Sequence, residues 1–113
     1  MHELSLCENI LQTLESCART QAFQRVKTVY LEVGALAAVD PDSLRFSFDA
    51  VTRSTLAEAA RLEIIDVAGA GWCAACHTTS TVRQFFDACP SCGHYPLQIT
   101  AGDGLKIKQL EVE

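Results

Sequence analysis

Apolar residues recur every three or four positions in the first part of the sequence. They are Cys7, Ile10, Leu11, Leu14, Cys17 and Ala18. This spacing predicts one apolar face of an amphipathic α-helix, on which the two cysteines are small buried side chains. Ser5 with Glu8 three positions later has the capping-box pattern of a helix start. We therefore predict a helix from about Ser5 to Thr20, with residues 1–4 before it.

The pattern then changes to that of strands around a second helix. Residues 25–34 are rich in β-branched side chains, which predicts a strand. Asp40 and Pro41 are typical of a helix N-cap and first turn, and this helix is predicted to reach about Arg53. A short helical stretch is predicted at 56–60, and strands at 61–67 and 105–112. The predicted fold class is α+β, with two helices packed on a small, mostly antiparallel three-stranded sheet.

Four cysteines lie between the last two predicted strands. They form the pairs Cys73-Ala-Ala-Cys76 and Cys89-Pro-Ser-Cys92. A two-residue gap lets both sulfurs of a pair face one ion, and two pairs complete a tetrahedral S₄ shell, which is typical of structural Zn²⁺. We predict an inserted zinc-ribbon domain at 69–99 and a helix-and-sheet domain at 1–68 plus 100–113. Metal binding worth about 10–16 kcal/mol would fold an insert that has little core of its own.

Two other metal centres share parts of this pattern. Cys73-Ala-Ala-Cys76-His77 also matches the attachment pattern of c-type haem, but this leaves the second cysteine pair without a role. A rubredoxin-like iron site is compatible with tetrahedral S₄ ligation. The sequence favours zinc over both.

Composition and charge exclude several classes of function. The chain has 113 residues, of which 49% are hydrophobic and 20% charged, with a net charge of −5. An acidic protein lacks the basic face that nucleic-acid binding requires. No apolar run approaches the roughly 20 residues that cross a bilayer, so we expect no membrane insertion. The first residues lack a signal-peptide pattern, and a cytoplasmic location is expected, where cysteines serve as ligands and free thiols. No nucleophile–base pair or phosphate loop is found, and we do not expect an enzyme.

The first three residues, Met1-His2-Glu3, offer a second set of metal ligands. The α-amine of Met1 has an ordinary pKa of about 7.7–8.0, so a metal can displace its proton near neutral pH. The His2 imidazole and the amide between them can join the same chelate, and Glu3 adds a carboxylate. Such nitrogen-rich sets suit Ni²⁺ and Cu²⁺. On the residues alone, a solvated histidine is the favoured interpretation and the metal site is the alternative.

Several segments form a recognisable series along the chain. They are Met1-His2-Glu3-Leu4-Ser5, Glu32-Val33-Gly34-Ala35-Leu36, Val39-Asp40-Pro41, Leu44-Arg45-Phe46-Ser47-Phe48, the paired cysteines, and Leu105-Lys106-Ile107-Lys108-Gln109-Leu110-Glu111-Val112. Together they resemble the HypA/HybF family of hydrogenase nickel-insertion proteins. The match runs along the whole chain in the expected order.

The resemblance implies a metallochaperone that carries Ni²⁺ as transient cargo to the precursor of the [NiFe]-hydrogenase large subunit. It implies His2 as the essential nickel ligand, with the Met1 amine and the Glu3 backbone or carboxylate completing part of the shell. It also implies that the four cysteines hold structural Zn²⁺ and that the partner is a HypB-type GTPase. A homodimer is compatible with the sequence. The alternative function is a zinc-ribbon protein-interaction module that binds no nickel.

Three further residues are candidates for supporting roles. Asp40 could approach the nickel site, although a helix cap before Pro41 is the favoured interpretation. His77 and His94 follow the two cysteine pairs, and either they are solvated loop histidines or their protonation near pH 6 alters hydrogen bonding around the zinc thiolates.

Overall fold

The computed structural model describes residues 3–113. In chain order the elements are α1 (Glu3–Gln21), β1 (Val26–Gly34), a 3₁₀ turn (Ala35–Ala37), α2 (Pro41–Val51), β2 (Arg61–Val67), β3 (Gly69–Cys73), β4 (Thr78–Val82), β5 (Gln98–Ala101) and β6 (Leu105–Val112). The strands form two three-stranded sheets, with the orders β2-β1-β6 and β4-β3-β5. The predicted α+β class, with two helices, a small sheet and a cysteine-bearing insert, is confirmed.

The apolar face predicted for the first helix packs against the second helix. Cys7 and Leu14 of α1 are fully buried, as are Leu44 and Phe48 of α2. The Cys7 thiol donates a hydrogen bond to the Leu44 carbonyl oxygen at 3.5 Å, which joins the two helices at their closest faces. The packing of α1 on α2 therefore follows directly from the three- and four-residue spacing of the apolar positions.

The Asp40 side chain caps α2 as predicted. Its Oδ2 accepts hydrogen bonds from the Ser43 backbone N at 3.3 Å and from the Ser43 Oγ at 2.7 Å. Pro41 occupies the first helical turn, where its missing N–H has no intrahelical acceptor.

Two local predictions were wrong. Helix α1 begins at Glu3 and not at Ser5, so Ser5 lies inside the helix and the Ser5–Glu8 pattern is not its cap. An acidic residue in the first turn favours helix, and Glu3 supplies it. The stretch 56–60 forms successive turns instead of a helix, with positive φ at Ser54 and Ala59 on either side of Leu56.

The chain divides into two compact units. The first comprises Met1–Leu31, Val39–Ile64 and Ile107–Glu113, of which residues 1 and 2 are not described, and the second comprises Glu32–Ala38 and Ile65–Lys106. The first contains both helices, and the second contains β3, β4, β5 and the four clustered cysteines. Within residues 3–113, no helix is long and apolar enough to cross a membrane.

Candidate metal centre

The four cysteine sulfurs of the second unit converge on one point. The Sγ atoms of Cys73, Cys76, Cys89 and Cys92 all lie within 4.8 Å of one another. The Cys73–Cys92 and Cys76–Cys89 sulfurs are 3.6 and 3.7 Å apart. A regular tetrahedron with Zn–S bonds of about 2.3 Å requires sulfurs about 3.8 Å apart, whereas a disulfide requires about 2.05 Å. The cluster therefore has the dimensions of a metal shell, and the four thiols are free.

Each C-x-x-C pair is closed by the same backbone turn. The N–H of His77 donates to the Cys73 carbonyl oxygen at 2.8 Å, and the N–H of Gly93 donates to the Cys89 carbonyl oxygen at 2.8 Å. Both donors have positive φ, 57° for His77 and 78° for Gly93. This conformation costs little for glycine and is tolerated by few other residues, so the residue that follows each pair is restricted.

The first of these turns connects β3 and β4 in the β4-β3-β5 sheet. Strand β3 is antiparallel to both neighbours, and Cys73 pairs with Thr78 at the end of the β3–β4 ladder. Cys73 and Cys89 are buried in an apolar cluster with Leu36, Val82 and Leu97. A Cβ on Gly71 would lie only 2.8 Å from the Val82 side chain, so this strand position admits only glycine without rearrangement. Two of the four metal ligands are therefore part of a small packed core.

Backbone amides favour the ionised form of the second cysteine pair. The amides of Cys92 and Ser91 lower the pKa of Cys89 to about 6, because they favour its ionised form. The His94 amide also favours the Cys92 thiolate, but interactions with Cys73, burial and the two remaining sulfurs together raise its pKa to about 12. Four thiols packed together cannot all ionise without a cation among them. The donor set therefore suits a divalent ion that replaces these protons.

The cluster fits a structural zinc site. Four thiolates fill a tetrahedral shell, and a filled shell leaves no position for a substrate. Three of the four cysteines are buried or half-buried, and Cys92 is exposed. The donor set can therefore stabilise this unit but offers no Lewis-acid chemistry.

The remaining candidate residues are not among the four clustered ligands. Met1 and His2 lie outside the described residues, and Glu3 is the half-buried first residue of α1. His77 and His94 are exposed. The His77 ring stacks on Trp72, with centroids 5.9 Å apart and planes 17° apart. The effect of the two histidines on the zinc thiolates stays a prediction.

The Thr78 side chain also lies at the metal centre, although the sequence pattern did not predict it. The Thr78 hydroxyl lies 3.0 Å from the Cys76 sulfur, within hydrogen-bonding distance. Hydrogen bonds from neighbouring groups orient metal ligands and adjust their basicity. The one sequence feature that could have indicated this contact is a hydroxyl residue two positions after a ligand cysteine.

Comparison with known proteins agrees with this architecture. The family model described as hydrogenase/urease nickel incorporation, metallochaperone, hypA matches residues 1–112. The hydrogenase maturation factors HypA of Azotobacter chroococcum mcd 1 and Acidithiobacillus ferrooxidans are 57% and 58% identical over 113 residues, covering 100% of both chains in each case.

A solved structure shares the fold. The solution structure of the Ni metallochaperone HypA from Helicobacter pylori matches with a TM-score of 0.78 at 22% identity, covering 99% of this chain and 97% of that chain. The match of the family model to nearly every residue, with relatives above half identity along their full length, decides the classification. The chain belongs to the HypA family of nickel-incorporation metallochaperones, which are maturation factors and not enzymes.

Proposed function

We propose that the chain binds Ni²⁺ through Met1, His2 and Glu3 and hands it to the [NiFe]-hydrogenase large-subunit precursor. The observation that carries this proposal is the nickel-incorporation family match over residues 1–112, in a chain whose first residues are an amine, an imidazole and a carboxylate. The relatives above 50% identity are named as hydrogenase maturation factors, which favours the hydrogenase precursor as the recipient.

The start of α1 at Glu3 supports this ligand set. The first four N–H groups of a helix have no intrahelical acceptor, so the Glu3 amide is not committed to the helix ladder. Because Glu3 belongs to the helix, its backbone position is fixed by the packing of α1 on α2. The Met1 amine and the His2 imidazole are thereby tethered to a rigid element, which reduces the entropy lost on chelation.

The zinc site serves this function as a structural element. In our proposal, Cys73, Cys76, Cys89 and Cys92 hold Zn²⁺ in a domain at 69–99, and residues 1–68 with 100–113 form the nickel-binding domain. A HypB-type GTPase is the proposed partner for nickel exchange, and the proposed location is the cytoplasm.

The test is a nickel titration of four versions of the zinc-loaded protein. These are the native chain, His2→Ala, a version with two residues added before Met1, and His94→Ala. We expect His2→Ala and the extended version to bind Ni²⁺ at least about tenfold more weakly, because each loses a nitrogen ligand. His94→Ala removes one exposed imidazole of the other unit and should bind like the native chain. Equal affinity in all four would show that the N-terminal ligand set is wrong.

A further inference from the structure

The two cysteine pairs of the metal centre are held by different kinds of backbone. Cys73 is the last residue of β3 and pairs with Thr78, the first residue of β4, so the first cysteine pair lies in the connection of two hydrogen-bonded strands. The second cysteine pair lies within the described segment 83–97, which connects β4 and β5 and contains no strand. A segment without a strand ladder opens more readily than a paired strand. The second pair is therefore the less restrained of the two.

The four sulfurs also differ in their access to solvent. Cys73 is 0% exposed and Cys89 is 3% exposed, whereas Cys76 is half-buried and Cys92 is exposed. Each cysteine pair thus contributes one buried sulfur and one that a reagent can reach from solvent. The order in which the quartet reacts is decided between the two accessible sulfurs, those of Cys76 and Cys92.

A hydroxyl distinguishes these two accessible sulfurs. The Thr78 Oγ1 lies 3.0 Å from the Cys76 sulfur. A cysteine that binds a metal has lost its proton, so the hydroxyl is the donor in the metal-loaded protein. A hydrogen bond to a thiolate stabilises its negative charge and makes the sulfur a weaker nucleophile. The Cys92 sulfur contacts the Cys73 sulfur at 3.6 Å, and no side-chain hydroxyl of the described residues lies within hydrogen-bonding distance of it.

We propose that soft carbon electrophiles attack the metal-loaded quartet at Cys92, and that Thr78 is a positioning residue whose hydroxyl protects Cys76 from the same reaction. The reagent class is an α,β-unsaturated carbonyl compound. The Cys92 thiolate forms a sulfur–carbon bond at the β carbon, the bond from this sulfur to the metal breaks, and water protonates the α carbon and leaves as hydroxide. Three cysteine ligands then remain, which opens one position of the shell.

The proposal does not depend on the nickel ligands proposed at the start of the chain. It uses only the cysteine quartet and β4, which belong to the second unit. The outcome of the nickel titration therefore leaves it unaffected.

The test maps the reaction of the zinc-loaded protein with limiting N-ethylmaleimide at pH 7. Digestion and mass spectrometry give the rate at each cysteine, and Cys17, a half-buried thiol outside the quartet, is the internal reference. In the native chain we expect Cys92 to react at least about fivefold faster than Cys76, because it is the exposed thiolate without a hydroxyl donor. Thr78→Val should raise the rate at Cys76 about threefold or more and leave the rate at Cys92 unchanged.

Two variants serve as matched controls. Thr78→Ser keeps the hydroxyl and should restore the native rate at Cys76. Thr79→Val changes the next residue of β4, which is exposed and pairs with Trp72, and should react as the native chain does. Both valine substitutions suit a strand, so a difference between them reports the hydroxyl and not the strand propensity.

An optical measurement tests the hydrogen bond itself. In the Co²⁺-loaded protein, loss of the donor raises the energy of the Cys76 sulfur electrons. The thiolate-to-cobalt absorption should therefore move to longer wavelength in Thr78→Val. Thr78→Ser and Thr79→Val should keep the native spectrum.

Each part of the proposal can fail separately. If Cys76, Cys73 or Cys89 reacts before Cys92 in the native protein, Cys92 is not the site of attack. If Thr78→Val changes neither the rate at Cys76 nor the cobalt spectrum, Thr78 does not protect Cys76. A change that Thr78→Ser fails to reverse would assign the effect to packing and overturn the role of the hydroxyl.

Discussion

At the scale of single residues, the Asp40 side chain caps α2 by accepting hydrogen bonds from Ser43. Hydrogen bonds from the Ser43 hydroxyl and amide lower the pKa of the Asp40 carboxyl, because they favour its ionised form. A lowered pKa in the folded state means that the cap stabilises the protein above the unfolded pKa of about 3.9. This stabilisation is lost as the pH falls through the folded-state pKa. A nickel role for Asp40 would have to compete with this cap.

Substitution of Asp40 separates the cap from the charge. Asp40→Ala should lower the melting temperature at pH 7 by about 3–5 °C, because the first-turn amide and the Ser43 hydroxyl lose their acceptor. Asp40→Asn keeps a capping oxygen without the charge and should melt close to the native chain. Thermal denaturation followed by circular dichroism measures both. If the two variants melt together, the hydrogen bonds to Ser43 do not carry the effect.

Burial keeps the Cys7 thiol protonated. Burial, with a smaller contribution from the Glu3 charge, raises the pKa of Cys7 to about 11. The protonated thiol donates to the Leu44 carbonyl oxygen, as a small buried hydrophobe with a weak donor would. The six cysteines of the chain therefore lie in two kinds of environment, since the metal cluster lowers the pKa of Cys89 and the helical core raises that of Cys7.

At the scale of elements, the backbone at the end of β1 lies very close to the backbone segment before β6. The backbone N–H of Gly34 donates a hydrogen bond to the Gly104 carbonyl oxygen at 2.9 Å, and that of Leu36 donates one to the Gly102 carbonyl oxygen at 2.8 Å. A Cβ on Gly34 would lie 2.2 Å from the Gly102 oxygen, a separation that backbone atoms cannot accept. The Glu32-Val33-Gly34 segment of the family resemblance thus has a physical reason for its glycine.

Gly34→Ala is expected to destabilise the protein by about 1–3 kcal/mol, because the added methyl forces the two backbone segments apart. Gly104→Ala is the matched control, since a Cβ there meets nothing within 4 Å. Urea unfolding of both variants measures the difference. Equal stability of the two would contradict the close approach.

The elements also show which predictions depend on local sequence and which do not. The strands 61–67 and 105–112 and the α2 start at Asp40 were correct, because β-branched runs and capping residues act locally. The start of α1 was misplaced, because Ser5–Glu8 satisfies the capping pattern inside a helix that already begins at Glu3. The strands β3 to β5 were not predicted. Strand β5 pairs with β3 from a distant part of the sequence, and Gly69, Gly71 and the threonines of β4 carry no apolar alternation.

The candidate site divides in the same way. Two C-x-x-C pairs define a metal shell from spacing alone, and the structure brings these four sulfurs together. The Thr78 hydroxyl beside Cys76 depends on the folded arrangement of neighbouring strands.

At the scale of the whole molecule, each unit has its own source of stability. The first unit has a core of helix and strand side chains that includes Leu14, Val29 and Phe48. The cluster of buried residues in the second unit is small, and two of its five members are the metal-site cysteines Cys73 and Cys89. The second unit should therefore depend on its metal far more than the first.

Removal of the metal should unfold one unit selectively. Chelation is expected to abolish the cooperative melting of the second unit while most of the helical ellipticity remains. Reconstitution with Co²⁺ should produce thiolate-to-cobalt charge-transfer absorption, which Cys92→Ser reduces. Cys17→Ser, which replaces a half-buried cysteine of α1, should leave the spectrum unchanged. Charge-transfer absorption that is lost equally in both variants would contradict the assignment of the quartet.

Trp72 gives the protein a natural optical label. It is the single tryptophan of the sequence, it precedes Cys73 on β3, and its ring is stacked on His77. Indole emission therefore arises in the second unit alone, while the far-ultraviolet helical signal arises from α1 and α2 in the first. One unmodified sample thus offers two separate spectroscopic channels. The state of each unit can be followed in real time through metal loading and release, without an added dye.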